Sequence, residues 1–316
     1  MKKLLVHSFL FIFLATAVSA GGWVRPNCCC SVTTSVNLTT YVVINSTNGT
    51  NNTNENITLW YFPYGNDTTS IKNITNWYMN GASIAVLNMP FEGGSNSTWT
   101  KDYSGRGNNG NVTGATWNST GGYDGKGAYL FDGIDDYINL SSTQTLNLSS
   151  DMSMSAWLYR KSDVPAGIYF GIVSKWDLNN KRSYTMMLRD DEKFQCGISG
   201  DGGAAAQYTY CYSSDIIGLN SWSHLACSYN HLTNKSDIYV NGTKKSATCV
   251  YGASSIFTAS SADVLIGAQV NATGLTRFFN GTIDDVIIFN RSLTADQILL
   301  LYQNQTDKIH FNETTA

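Results

Sequence analysis

Gly125-Lys-Gly-Ala-Tyr-Leu-Phe-Asp-Gly-Ile-Asp-Asp-Tyr137 decides how the rest of this chain is read. Residues 128–131 form one short apolar run and residues 136–140 a second, with a polar turn between them in which Gly133 is free to take a positive φ. Runs this short, punctuated by Gly and Asp, read as antiparallel strands. The same pattern repeats outward from the hairpin. Strands are expected at 84–91, 152–159, 169–175, 184–189, 194–198, 224–229, 236–240, 263–266 and 278–289. Helical periodicity is absent until Thr294-Ala-Asp-Gln297, a capping-box match that predicts a helix of one or two turns ending near Tyr302. The fold class is therefore all-β, a two-sheet antiparallel sandwich.

The ordered motifs along this stretch carry a resemblance. Met89-Pro-Phe-Glu-Gly93, Asp102-Tyr-Ser-Gly-Arg-Gly-Asn-Asn-Gly110 and the quoted hairpin resemble the opening of laminin-G-like, concanavalin A-like jelly-roll domains. Met154-Ser-Ala-Trp157, Ile172-Val-Ser-Lys175, Ser221-Trp-Ser-His-Leu-Ala226 and Ile238-Tyr-Val-Asn-Gly242 follow in order. Phe279-Asn-Gly-Thr-Ile-Asp-Asp-Val-Ile-Ile-Phe-Asn-Arg-Ser-Leu293 closes the set, so the resemblance spans about residues 84–303. It implies two curved sheets of about six or seven strands each.

The flanks read differently. Lys2 and Lys3, an apolar run over 4–17 and Val18-Ser19-Ala20 match an export signal over residues 1–20. Residues 21–82 form a glycosylated N-terminal extension with strand-like runs at 41–44, 57–62 and 77–79, fitting a small β layer or an assembly arm. The jelly roll is assigned to 83–303 and a polar tail to 304–316. No segment of the mature chain is long and apolar enough for a membrane span.

Only 14% of residues are charged and the net charge is −3, so there is no basic stripe for nucleic acid. Solubility is expected to come from N-glycans. Sequons occur at Asn37, Asn45, Asn48, Asn51, Asn56, Asn66, Asn73, Asn96, Asn111, Asn118, Asn139, Asn147, Asn234, Asn241, Asn271, Asn280, Asn290, Asn304 and Asn312. That is nineteen sites from 31 Asn, where random placement gives six or seven, and fifteen of them end in Thr. Seven cysteines in an exported chain imply disulfides. Cys196 and Cys211 flank a Gly-rich turn, and Cys227 and Cys249 flank the Asn241-Gly242 turn, so two local bridges are expected, Cys196–Cys211 and Cys227–Cys249. Cys28-Cys29-Cys30 suits an intermolecular or N-terminal bridge, and the odd total leaves a thiol over.

For a site, the resemblance implies a structural Ca²⁺ where the first and last strands meet, held by Glu92 and Asp284, with Asp132, Asp135, Asp136 and Asp285 in reserve. The plain alternative is that these carboxylates bind backbone N–H groups at turns and strand ends. Enzymes of this fold class carry Glu-x-Asp-x-x-Glu on one strand. The four Glu here, Glu55, Glu92, Glu192 and Glu313, never show that spacing, and Asp190-Asp191-Glu192 reads as a solvated turn. His224 falls at a core position and His231 in a turn, so no nucleophilic triad is indicated. Tyr208, Tyr210, Tyr212, Trp176 and Trp99 are placed in or near loops, each read as packing before sugar contact. The expected function is a secreted, non-enzymatic surface module for adhesion or for recognition of glycans or proteins. A subunit of an extracellular filament or surface layer, self-assembling through the N-terminal arm, is the alternative, and a glycoside hydrolase stands behind both.

Overall fold

The computed structural model describes residues 39–46, 57–64, 78–79, 82–83, 85–203, 207–258 and 260–306. The chain divides into two compact units, Met1–Asn73 and Ile74–Ala316. In the first, Thr39–Ser46 pairs antiparallel with Ile57–Tyr64, Thr39 opposite Tyr64 and Ser46 opposite Ile57. The export signal, Cys28, Cys29, Cys30 and the sequons Asn37, Asn48, Asn51, Asn56, Asn66, Asn73 and Asn312 lie outside the described residues.

The second unit is a sandwich of two antiparallel sheets. One has nine strands in the spatial order Ala247–Val250, Tyr208–Ile216, Lys193–Ser199, Tyr184–Leu188, Phe170–Lys175, Leu265–Ile266, Tyr137–Asn139, Gly110–Thr113 and Trp99–Thr100. The other has eight: Thr243–Lys244, Lys235–Val240, Trp222–Asn230, Met152–Arg160, Asn280–Phe289, Ala128–Asp132 and Thr116–Asn118, with Ala85–Met89 also pairing with Asn280–Phe289. Both sheets exceed the six or seven strands expected, because short polar or glycine-bearing runs such as Gly110–Thr113 complete them.

Alternation builds the core. Met152, Met154, Ala156 and Leu158 point into the sandwich and meet Tyr184, Met186, Leu188, Phe194 and Ile198 from the opposite sheet. The other face of Met152–Arg160 carries Ser153, Ser155, Trp157 and Tyr159. A second, smaller cluster of Ala226, Tyr239, Phe289, Leu293 and Ile298 seats the helix Ala295–Thr306 on that outer face. The capping box is formed as predicted: the Thr294 N–H donates to Gln297 Oε1 at 3.0 Å, and the Gln297 N–H to Thr294 Oγ1 at 3.3 Å. The helix continues past Tyr302 to Thr306, since no Gly or Pro stands between them to stop it.

The disulfides pair differently from the expectation. Cys196 bonds Cys227 and Cys211 bonds Cys249. Cys196 and Cys227 point into the core from opposite sheets, so their bridge ties the two layers together. The Asn241-Gly242 hairpin returns only as far as Lys244, after which the chain changes sheet and Ala247–Val250 pairs with Tyr208–Ile216. That change of sheet carries Cys249 away from Cys227 and sets it opposite Cys211. The turn at Asp190-Asp191-Glu192 is also more than solvated. Glu192 Oε2 accepts from the guanidinium of fully buried Arg160 at 2.9 Å, which holds the Glu192 carboxyl below its usual range.

Candidate functional site

The first and last strands do meet, Met89 opposite Val286. Just beyond Met89, the chain turns through Phe91, at φ +59°, and places Glu92 in a buried position. On the last strand the register against Met152–Arg160 slips between Ser155 and Trp157. Asp284 lies opposite Trp157, and two residues, Asp285 and Val286, stand against the single Ala156, with Asp285 at φ +49°. Ile283 and Val286 both stay in the core: alternation turns Asp284 to the outer face beside Trp157, and the extra residue Asp285 brings Val286 back inside. A loop over residues 119–127 closes above it.

That loop adds two groups the sequence reading missed. Asp124 is almost wholly buried at its side chain, and Lys126 Nζ lies 3.9 Å from Asp124 Oδ2 and 3.9 Å from Glu92 Oε1. The loop approaches through glycine: a Cβ at Gly122 would fall 2.5 Å from Asp284 Oδ2 and 3.0 Å from Asp124 Oδ1. Asp284 Oδ2 accepts the Tyr123 N–H at 2.9 Å and Oδ1 the Asp285 N–H at 2.8 Å. Burial, then the charges of Asp285 and Glu92, push the Asp284 carboxyl well up, against the pull of those N–H groups. Burial likewise raises Asp285 to about 7, with Lys126 opposing. Glu92, Asp124, Asp284 and Asp285 are thus carboxylates gathered from three segments around a single ammonium. Both reserve aspartate Asp285 and the pair Glu92 and Asp284 belong to this site.

Asp132, Asp135 and Asp136 do not. Asp132 lies opposite Asn280 while Tyr129 lies opposite Ile283, so Asp132 sits at the far end of the strand pair from Asp284. The three form a separate turn cluster whose carboxylate oxygens lie within 4.8 Å of one another, an arrangement able to take a cation. Gly133 takes φ +82° there, and Asp136 Oδ2 accepts the Asp132 N–H at 2.8 Å. Burial raises the Asp136 carboxyl, that N–H lowers it, and Asp132 and Asp135 raise it further.

Beside the carboxylate site runs an aromatic stack. Tyr123 lies flat on Trp157, ring centroids 3.5 Å apart, and His224 and Tyr302 close on the same indole at 5.2 and 5.5 Å. His224 is buried there, and His231 pairs with Asp151 at 2.7 Å. Tyr208, Tyr210 and Tyr212, expected in or near loops, belong to a nine-residue strand of the other sheet.

A laminin-G family model described as the concanavalin A-like lectin/glucanases superfamily matches residues 132–299. The chain belongs to that superfamily. No curated protein matches the chain in sequence. Among solved structures of this fold, the receptor-binding domain of a botulinum neurotoxin C/D mosaic serotype is similar, with a TM-score of 0.52 at 14% identity over 70% of this chain and 51% of that one. Domain 4 of AbnA, an extracellular arabinanase from Geobacillus stearothermophilus, is also similar and was solved with arabinotriose. Its TM-score is 0.50 at 21% identity, over 69% of this chain and 98% of that one. The chain spans about half the length of the toxin binding domains it matches. The superfamily match covers the hairpin turn at Asp132 and the last strand, while the strands from Ala85 to Asp132 complete both sheets ahead of it.

Proposed function

We propose that this chain is an exported, N-glycosylated, non-enzymatic module of the cell exterior that recognises glycans or surface proteins, as in adhesion. The distribution of sequons carries the reading. Ten sequon asparagines have described side chains, Asn96, Asn111, Asn118, Asn139, Asn147, Asn234, Asn241, Asn271, Asn280 and Asn290, and each is exposed or half-buried. None occurs between Asn147 and Asn234, a tract that builds four neighbouring strands of the nine-stranded sheet, Phe170–Lys175 through Tyr208–Ile216. The same tract supplies Met152–Arg160 and Trp222–Asn230 to the other sheet, but the helix Ala295–Thr306 and Tyr123 pack over those strands. Glycans on the remaining sites would thus leave one open sheet region bare, which suits recognition. A repeating assembly needs two opposed bare patches.

Export rests on the signal-like residues 1–20 and on the sequon density. Among the described residues no helix is long and apolar enough to cross a membrane. The carboxylate site fits Ca²⁺ as a structural ion. Its donors are hard oxygens from separate segments, and the charges of Asp285 and Glu92 crowd the Asp284 carboxyl, a crowding that a divalent cation would offset. Glu92, Asp284 and Asp124 would hold the ion, with Asp285 beside them.

The alternative, a filament or surface-layer subunit, draws on the separate first unit with its own hairpin and on Cys28, Cys29 and Cys30. The experiment is glycopeptide mapping of protein secreted from a glycosylating host, combined with native size analysis before and after reduction. Occupied sequons around a bare 148–233 tract, on a chain that stays monomeric, support recognition. Polymers that collapse on reduction, or on deletion of residues 21–82, replace it with the structural subunit.

A further inference from the structure

We propose that the outer face of the nine-stranded sheet around Tyr208, Tyr210 and Tyr212 binds an acidic oligosaccharide; this rests on the recognition reading and locates its site. The argument begins with alternation. On Tyr208–Ile216, Thr209, Cys211 and Ser213 are buried, while Tyr208, Tyr210 and Tyr212 are half-buried on the opposite face. Register lines them up in rows across the sheet: Met187, Gln195, Tyr212 and Thr248 in one, and Thr185, Gly197, Tyr210 and Val250 in the next. Ser199 stands opposite Tyr208 in a third. Alternate residues of a strand lie about 6.7 Å apart, so the three phenols form a ladder of amphipathic contacts.

Gly197 lowers the middle of the face. A Cβ there would stand 3.2 Å from Thr185 Cγ2 and 3.9 Å from the Trp176 ring. Trp176 walls that depression and meets Tyr208, ring centroids 5.3 Å apart. The hairpin Gln269–Asn271 and Gly274–Thr276 bounds the other side, where Gln269 Nε2 donates to Thr185 Oγ1 at 3.3 Å. It carries the rim sequon Asn271.

Charge selects the ligand. Arg189 lies over Tyr212 at 4.2 Å and Lys193 over the same ring at 5.8 Å. Arg182 lies over Tyr208 at 5.5 Å, and Arg277 over Tyr169 at 4.7 Å. Asp191, bound by Arg189 at 3.0 Å and Lys193 at 3.1 Å, and Asp201 near Tyr208 are the opposing carboxylates. Four cations against two carboxylates make a locally positive aromatic face in a chain whose net charge is −3. Arg189 is further fixed by donating to Gln195 Oε1 at 3.1 Å, so little ordering is left to be lost on binding. Tyrosine faces take the apolar side of sugar rings, Gln195 takes hydroxyls, and the guanidiniums take carboxylate or sulfate. The sequon gap keeps the chain's own glycans off these strands.

The test uses the intact glycosylated chain in titration calorimetry against three probes. These are a heparin-derived hexasaccharide carrying sulfate, a polygalacturonate-derived hexasaccharide carrying only carboxylate, and neutral maltohexaose. Binding to one or both acidic probes that weakens with salt is expected, with the stronger probe naming the acid group. Tyr210→Ala and Arg189→Met should each lower that affinity about tenfold at unchanged melting temperature, and Gly197→Val should lower it too by filling the depression. Equal binding of maltohexaose, or acidic binding that all three variants leave intact, overturns the proposal. If no oligosaccharide binds while the chain still captures a surface protein, the proposal falls and the recognition reading stands. Polymerisation in the size analysis removes the recognition reading itself.

Discussion

Asp284 accepts the backbone N–H of Tyr123 across 161 positions of sequence, at 2.9 Å, and so pins a loop to the bulge of the last strand. The same carboxylate faces the charges of Asp285 and Glu92. A bound divalent cation would relieve that crowding, and calcium should therefore raise stability. Titrating metal-stripped protein with millimolar calcium is expected to add about 1–3 kcal/mol to the unfolding free energy, read by thermal or urea denaturation. Asp284→Asn and Glu92→Gln should abolish the gain while Asp135→Asn leaves it. An unchanged transition in calcium and in chelator would assign the site to backbone capping alone.

Gly127 ends the same loop, where it packs on the backbone of Phe91 and Glu92. A Cβ at this position would fall 2.1 Å from the Phe91 carbonyl oxygen and 3.0 Å from the Glu92 Cα, both backbone atoms that cannot swing aside. Gly127→Ala should cost about 2–4 kcal/mol and weaken any calcium response together with stability. Denaturant melts of Gly127→Ala beside Gly125→Ala provide the comparison, since both carry the same chemical change. A Cβ at Gly125 meets nothing within 4 Å, and its φ of +76° leaves only conformational strain there.

The strands carrying alternating apolar residues, such as Met152–Arg160 and Tyr184–Leu188, were legible because their inward side chains are large and apolar. Tyr208–Ile216 inverts that code, with Thr209, Cys211 and Ser213 inside and tyrosines outside, so the pattern gave no strand. Glu92 and Asp284 were legible from motif order. Asp124 and Lys126 were not, although they adjoin the decisive hairpin, because their role depends on a loop folding back over a bulge. A bulge shifts register by one residue and leaves no mark on composition. Disulfide pairing was hidden for a related reason: Cys211 is the register partner of both Cys196 and Cys249, and only the change of sheet after Lys244 explains the choice.

Peptide mapping without reduction should therefore recover Cys196 linked to Cys227 and Cys211 linked to Cys249. The bridge between sheets matters for stability, since Cys227 enters the core from the layer opposite Cys196. Replacing Cys196 and Cys227 together by Ala should lower the unfolding free energy by about 2–5 kcal/mol. A Cys196–Cys211 peptide as the main product would overturn this pairing and leave Cys227 and Cys249, on opposite sheets, as the pair able to join the layers.

Arg160 and Glu192 provide a charge test away from the carboxylate site. Arg160 is buried and donates to Glu192 Oε2 at 2.9 Å and to the Ile217 carbonyl at 2.6 Å. Glu192→Gln would leave the guanidinium without its close anion and should cost about 1–3 kcal/mol in urea denaturation. Asp190→Asn in the same turn should cost far less, as Asp190 is exposed and accepts only the Gly167 N–H at 3.1 Å.

Lys175 sets a pH dependence whose sign is the reverse of alkaline destabilisation: stability grows as pH rises through its window. Its ammonium is buried, donating to the Ala262 carbonyl at 2.5 Å and Ser142 Oγ at 3.1 Å. Burial lowers its pKa to about 8, with Asp263 pulling the other way. Between that value and the ordinary lysine value of 10.5, the unfolded chain binds the proton and the folded chain releases it. Stability therefore rises with pH across this window, by about 2 kcal/mol from pH 8 to pH 10. Lys175→Met removes the titrating group and should flatten that rise, so the gap between parent and variant narrows or reverses toward pH 8. Urea midpoints at pH 7, 8, 9 and 10 for both proteins read the difference directly, and parallel curves would show that the ammonium is solvated in the folded chain.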